Sequence, residues 1–192
     1  MQDFHPPAWN EPLDLESYLA SIPESSRVKG VFFRSAIQQT REATGEAPGR
    51  DKYHALSSYP SAELARVLAE CAGRIYPNMS LRRGLRMLGT NVFPRLKETT
   101  AGGLIFGLAG RDLAAAIKLV GRAYKAFSTH TSAKLISMED NLAIIELRNV
   151  WTFPDCYHVG IFEGALKSYA KHGMITIREH ATCDLDVQIY FV

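Results

Sequence analysis

Cys156 and His158 stand two residues apart where a helix should begin. A thiol in that position is a candidate nucleophile, because the helix dipole favours the thiolate. Such chemistry also needs the base beside the thiol and a third group to orient the base. Residues two apart on a helix point to different sides, and no orienting group is evident. A thiol enzyme using Cys156 is therefore an alternative reading, and no catalytic residue is expected. Anion binding is a second chemistry. Residues 74–97 hold Arg74, Arg82, Arg83, Arg86, Arg95 and Lys97 with no acid among them, and Lys118, Arg122 and Lys125 follow. Arg82, Arg83 and Arg86, expected outward on one helix, are the candidate residues for an anionic or protein partner. The aromatics are not interleaved with these arginines, so no base-stacking platform forms and nucleic acid is not an expected partner. A third chemistry is apolar ligand binding. Gly102, Gly103, Gly107, Ala114, Ala115 and Ala116 leave helices short of bulk near Phe106, Tyr124, Phe127, Trp151, Phe153 and Phe162. Small residues beside rings mean either close helix packing or an apolar cavity with a few polar handles, the usual make-up of a small-molecule site. Those six aromatics are the candidate ligand-binding residues.

The elements that must position these groups are clearest at the C-terminal end. Residues 133–138 and 142–147 are short apolar runs separated by Glu139-Asp140-Asn141, a tight-turn signal because Asp and Asn tolerate positive φ. A helix from Tyr157 to Lys171 follows, with Val159, Phe162, Leu166 and Tyr169 on one stripe. Gly173 is its expected left-handed end. Within it, Gly160 and Gly164 leave a flat stripe on which another backbone can lie. Strands at Met174–Thr182 and Leu185–Val192 end the chain. The last alternates Leu185, Val187, Ile189 and Phe191 against Asp186, Gln188 and Tyr190. Asp184 and Asp186 are expected in solvent. Hairpin, helix, hairpin makes a four-stranded antiparallel sheet crossed by one helix.

Upstream the chain reads as helical cover. Asp14 caps a short helix to Ile22; a second helix runs from about Gly30; the Gly- and Pro-bearing stretch from Thr44 to Tyr59 is a loop. Leu64, Val67, Leu68, Cys71 and Ile75 form one stripe, and Leu81, Leu85 and Leu88 the next, stopped at Gly89. Val92–Leu108 and the helix capped by Asp112 complete the set. Three glycines in the former imply a backbone packed close by, since each costs about 1 kcal/mol in a helix. The expected fold class is α+β, a helical bundle packed on the sheet, with residues 1–12 a flexible tail and 13–192 one domain.

Composition excludes several classes. A net charge of +2 demands no polyanion, and no apolar run suits a transmembrane helix. The start Met1-Gln2-Asp3-Phe4-His5 lacks a basic lead and an apolar core, so no secretion signal is expected. Three cysteines, Cys71, Cys156 and Cys183, suit reduced thiols in a cytoplasm. No phosphate loop, dinucleotide fingerprint or carboxylate pair is present.

Tyr157-His158-Val159-Gly160-Ile161-Phe162-Glu163-Gly164, with Val28-Lys29-Gly30-Val31-Phe32-Phe33 and Tyr59-Pro60-Ser61-Ala62-Glu63, resembles an uncharacterised paralogous family expanded in myxobacteria. The likeness runs from about residue 13 to the end. More distantly, the C-terminal pattern is similar to vinyl-reductase-type sensors, haem–nitric-oxide-binding domains and vesicle-tethering subunits. This resemblance implies a helical bundle on a twisted sheet, used for sensing or assembly, in some relatives around an enclosed pocket. Of the haem branch, the Tyr-x-Ser-x-Arg signature is absent, and no histidine lies on the apolar stripe of a long helix. Of the vinyl-reductase-type zinc ligands, Cys156 and Glu163 keep the spacing and Cys183 lies near the third; only a shifted His180 could stand fourth. No cofactor and no metal is therefore expected. The reading is a non-catalytic cytoplasmic sensor or scaffold module, as a homodimer, binding a small apolar or aromatic ligand or a protein partner. The alternative is a pure protein-interaction module using the basic helix face.

Overall fold

Period-two and period-3.6 hydrophobic patterns resolve in the computed structural model, which describes residues 3–46, 48–50 and 52–192. Strands β3 (Ser132–Glu139), β4 (Leu142–Arg148), β5 (Gly173–Ala181) and β6 (Asp184–Phe191) form one antiparallel sheet in the order β3-β4-β6-β5. Asp140 takes φ 40° in the two-residue turn that pairs Glu139 with Leu142. Leu135, Ile145, Val187 and Ile177 then stand in register across all four strands. The apolar face of this row is covered by helices. The hairpin–helix–hairpin arrangement and the α+β class are both present.

The helical layer comprises α1 (Leu15–Ser21), α2 (Val31–Thr44), α3 (Ser61–Ile75), α4 (Leu81–Thr90), α5 (Val92–Glu98), α6 (Thr100–Phe106), α7 (Leu113–Lys118), α8 (Val120–Phe127) and α9 (Val159–Ser168). A two-stranded ribbon, β1 (Arg27–Lys29) with β2 (Ser58–Pro60), brackets α2. The helices expected over 92–108 and 113–127 are each broken. Thr99 ends α5 and caps α6, its hydroxyl accepting from the Gly102 N–H at 3.0 Å. The break at Leu119 brings Gly121 against the Ala133 carbonyl, which would lie 2.7 Å from an added Cβ. Of Gly102, Gly103 and Gly107, only Gly102 is crowded, by the Leu96 carbonyl.

Gly173 does not end the last helix. Ala170 takes the left-handed turn (φ 53°) and the Lys171 N–H reaches back to the Leu166 carbonyl at 2.9 Å, a Schellman closure. Gly173 instead opens β5, where the Tyr190 carbonyl leaves no room for a Cβ. The N-terminal lead, expected to be a flexible tail, is tied down where it is described: His5 and Ile177 exchange backbone hydrogen bonds at 2.9 Å, and the Trp9 ring lies 4.2 Å from the Arg86 guanidinium carbon. Met1 and Gln2 lie outside the described residues, as do Ala47 and Asp51 of the expected loop.

Two apolar clusters share the interior. One fills the space between the sheet, α9 and α5–α8; the other lies among α1–α4 with Phe153, Cys156 and Tyr157. Trp9, Phe32 and Ile161 pack against both. Helix α9 therefore has a neighbour on each side.

Asp186, expected in solvent, is only 5% exposed on the outer face of the sheet. Its Oδ2 accepts from Arg178 (2.7 and 3.1 Å) and lies 3.0 Å from His180 Nε2, while its Oδ1 accepts from Arg148 at 3.0 Å; Glu146 holds Arg148 from the other side. Glu146, Asp186 and Arg178 are register partners, which places this grid on neighbouring strands. Burial pushes the Asp186 carboxyl up, but the bonds from His180, Arg178 and Arg148 outweigh it and hold the carboxyl below its ordinary 3.8. A depressed native pKa stabilises the fold above the unfolded-state value, and that contribution disappears as pH falls through the native one. Acid unfolding should therefore steepen below about pH 4, and Asp186→Asn should flatten that limb of the stability curve while lowering stability at pH 7. Urea midpoints measured from pH 7 down to pH 3 check this; an unchanged acid limb in the variant would show the grid to be idle.

Candidate functional site

The chain leaves β4 through Asn149 and Val150 and enters a π-helical turn, Pro154–His158, before α9. The His158 N–H bonds the Phe153 carbonyl five residues back at 3.2 Å. Such a turn shifts side chains round the axis relative to an α-helix and is frequent at functional sites. Phe153 sits in the left-handed region (φ 57°), uncommon for a bulky side chain. Tyr18 of α1 holds it there: its hydroxyl accepts from the Phe153 N–H at 2.8 Å, and the two rings stack at 4.5 Å. The product of this turn is the direction of His158.

His158 is buried between two hydroxyls. Tyr124 Oη lies 2.6 Å from Nδ1, and Thr152 Oγ1 lies 2.7 Å from Nε2. Burial pushes the imidazole pKa down to about 3, so the ring is neutral throughout the physiological range. Burial likewise pushes the Tyr124 phenol up, keeping it protonated. These three groups form one edge of a partly open cavity of about 100 Å³. Phe93, Phe106, Ile117, Val120, Ile145 and Phe162 supply its apolar wall, and none of its lining residues is charged. Tyr157 also lines it, with a buried hydroxyl that has no hydrogen-bond partner among the described residues. An apolar cavity of roughly 150 Å³ can hold benzene. This one suits a somewhat smaller neutral molecule.

Phe106, Tyr124, Phe127, Trp151 and Phe162 all line this cavity. Phe153 does not; it lies in the other cluster, stacked on Tyr18. Sequence reasoning placed His158 only beside Cys156 and missed its bond to Tyr124, thirty-four residues away. Cys156 faces the opposite cluster, and burial pushes its thiol up to about 12, whereas a helix N-terminus would lower it. The arginines expected outward are largely claimed by acids from the C-terminal segment. Arg82 pairs with Asp155, and Arg86 makes a bidentate pair with Glu163 at 2.5 and 2.8 Å. Arg83 alone of the three is exposed. The run lacked acids only in sequence; the π-helical turn and α9 bring them in space. Among the described residues no group of three His, Cys, Asp or Glu side chains is placed to hold a metal ion. Glu163 faces Arg86, Cys183 faces Asp184 and His180 faces Asp186, so the four positions of the zinc resemblance do not converge.

Among solved structures the fold is similar to that of an H-NOX protein from S. oneidensis in the Fe(II)NO ligation state. That match has a TM-score of 0.65 and 15% identity, and covers 85% of this chain and 99% of the other. An oxygen-binding H-NOX domain related to soluble guanylate cyclases gives 0.64 and 18%, covering 85% and 94%. An unliganded Fe(II) H-NOX protein from K. algicida gives 0.58 and 12%, covering 85% and 96%. The shared property is the fold. Haem does not suit the residues present here: the cavity of about 100 Å³ is far below the several hundred of a large-ligand pocket. Both nitrogens of the one buried histidine are hydrogen-bonded, and His5, His54, His130, His172 and His180 are all exposed. No curated protein matches the sequence. The family model described as "Protein of unknown function (DUF2378)" matches residues 22–189, nearly the whole chain, and the chain belongs to that family.

Proposed function

We propose that this chain is a non-catalytic sensor module, working in the cytoplasm, that encloses a small neutral, largely apolar ligand between its sheet and its helices. The observation that carries this reading is the largely apolar cavity with a hydrogen-bonded polar edge, Tyr124–His158–Thr152, at the foot of the helix both core clusters share. The fold likeness to H-NOX proteins, named for their Fe(II), NO and oxygen states, supports a ligand-holding use of this architecture. Occupancy of the cavity would bear on α9, and through α9 on α4, which is a route from ligand to surface. The rival reading, partner docking on the basic face, loses Arg82 and Arg86 to Asp155 and Glu163. A thiol enzyme would have to ionise a buried Cys156.

A ligand that binds only the folded state raises its stability by about 2.7 kcal/mol at a hundredfold excess over its Kd. Cyclopentane and small aromatic probes should therefore raise the melting temperature of the native protein. Ala165→Leu, which places extra methyl groups at the cavity wall, should abolish that rise while leaving a cooperative melt. Absence of any rise with apolar probes of this size would remove the proposal.

A further inference from the structure

The polar edge of the cavity contains one more proton than it uses. Tyr124, neutral His158 and Thr152 offer three donors, an O–H, an N–H and an O–H. Only two hydrogen bonds join them, and neither hydroxyl has another partner among the described residues. Whichever ring nitrogen carries hydrogen, one hydroxyl proton is left over. Donor strength sets the direction: a phenol is far more acidic than an aliphatic alcohol, so Tyr124 donates to Nδ1 across 2.6 Å. Nε2–H then donates to Thr152 Oγ1 across 2.7 Å, and the Thr152 proton is unspent. Of the other hydroxyls on the cavity wall, Ser61 accepts from Ser26 at 2.8 Å, and two have acceptors already. Ser128 donates to the Tyr124 carbonyl at 2.9 Å and Thr131 to the Asn149 carbonyl at 3.1 Å.

We propose that the unspent Thr152 hydroxyl proton makes this a site for small neutral molecules carrying one hydrogen-bond acceptor oxygen, of the ketone or aldehyde class, in preference to hydrocarbons of the same shape. The inference rests on the cavity being a ligand site, as proposed above. A carboxylate or an amine is disfavoured, because no charged side chain lines the cavity to repay its desolvation. A carbonyl oxygen satisfies the buried donor without adding charge, and its hydrocarbon remainder meets the phenylalanine and isoleucine wall.

Cyclopentanone and cyclopentane, near-identical in shape, are the probes, titrated into the native protein and followed by NMR. Cyclopentanone should bind about three- to tenfold more tightly, the worth of one neutral hydrogen bond. Thr152→Ser should keep that preference and Thr152→Val should reduce it to within about twofold. Nitrogen-15 shifts of the His158 ring in the unliganded wild type should report the Nε2–H tautomer, a readout available even if the valine variant does not fold. An Nδ1–H ring would leave the spare proton on Tyr124 and overturn the assignment. Loss of the preference in Tyr157→Phe but not in Thr152→Val would overturn it too, by moving the donor to Tyr157. If both probes bind the wild type equally, the cavity reading stands and this inference fails. If neither binds, the cavity reading itself fails.

Discussion

Gly160→Ala is expected to cost about 3 kcal/mol or more, the upper end of what overpacking a close-packed interior does. Helices α4 and α9 meet through three glycines. A Cβ built on Gly160 would stand 2.1 Å from the Arg86 carbonyl oxygen, one on Gly164 2.1 Å from that of Thr90, and one on Gly89 2.1 Å from that of Tyr157. Each obstacle is backbone, so no rotamer change relieves it. The helices would have to part, and parting them strains the Arg86–Glu163 pair that spans the same crossing. Gly160→Ala with Gly164→Ala should leave no cooperative unfolding transition at 25 °C, since the two clashes act on one contact and typical domains have only about 5–15 kcal/mol in hand. Gly73→Ala, on α3 with nothing within 4 Å of its added Cβ, is the control. Replacing a helical glycine in open space should raise stability by roughly 0.4–1 kcal/mol. Urea midpoints of the three variants decide the matter. A Gly160→Ala protein as stable as the wild type would mean that α4 and α9 do not cross so closely.

The same crossing shows how far the sequence could be read. Gly160 and Gly164, four apart, announce a close approach, but the partner could equally be sheet or helix until α4 is seen against them. Alternation in Leu185–Phe191 and the 3.6-residue stripes of α3, α4 and α9 are local signals, set by which face meets the core, and they locate the elements well. What the pattern omits is whatever depends on contacts distant in sequence. The acids answering Arg82 and Arg86 lie more than seventy residues downstream. Asp186 is buried because arginines on two neighbouring strands close over it. The π-helical turn depends on Tyr18 supporting Phe153 from the other end of the chain. His158 thus looked like half of a weak thiol–imidazole pair, while its partners are a tyrosine on α8 and a threonine six residues before it. One local signal was available. A histidine opening an otherwise apolar stripe, Val159-Gly160-Ile161-Phe162, has to be either paired or neutral.

Leu166→Ala tests the other face of α9 and should cost roughly 2–5 kcal/mol, the range for a buried leucine truncated to alanine. Leu166 is 5% exposed and belongs to the cluster between helices and sheet, together with Phe93, Tyr169 and Ile175. Where in the range it falls depends on how far the surroundings collapse into the void. Collapse requires α9 to move towards β5, and two features oppose that movement. The glycine contacts hold α9 against α4 on its far side. The Schellman closure fixes its end, with the Leu166 carbonyl itself accepting from Lys171 at 2.9 Å. A void that cannot close keeps most of its cost, so a value in the upper half of the range is expected. Lys167→Ala, one residue on and exposed, should change stability by no more than about 0.5 kcal/mol. Equilibrium urea unfolding of both variants supplies the comparison. A Leu166→Ala cost below about 1 kcal/mol would place this side chain outside the core, and would mean that α9 is rotated about its axis from the orientation that also aims His158 at the cavity.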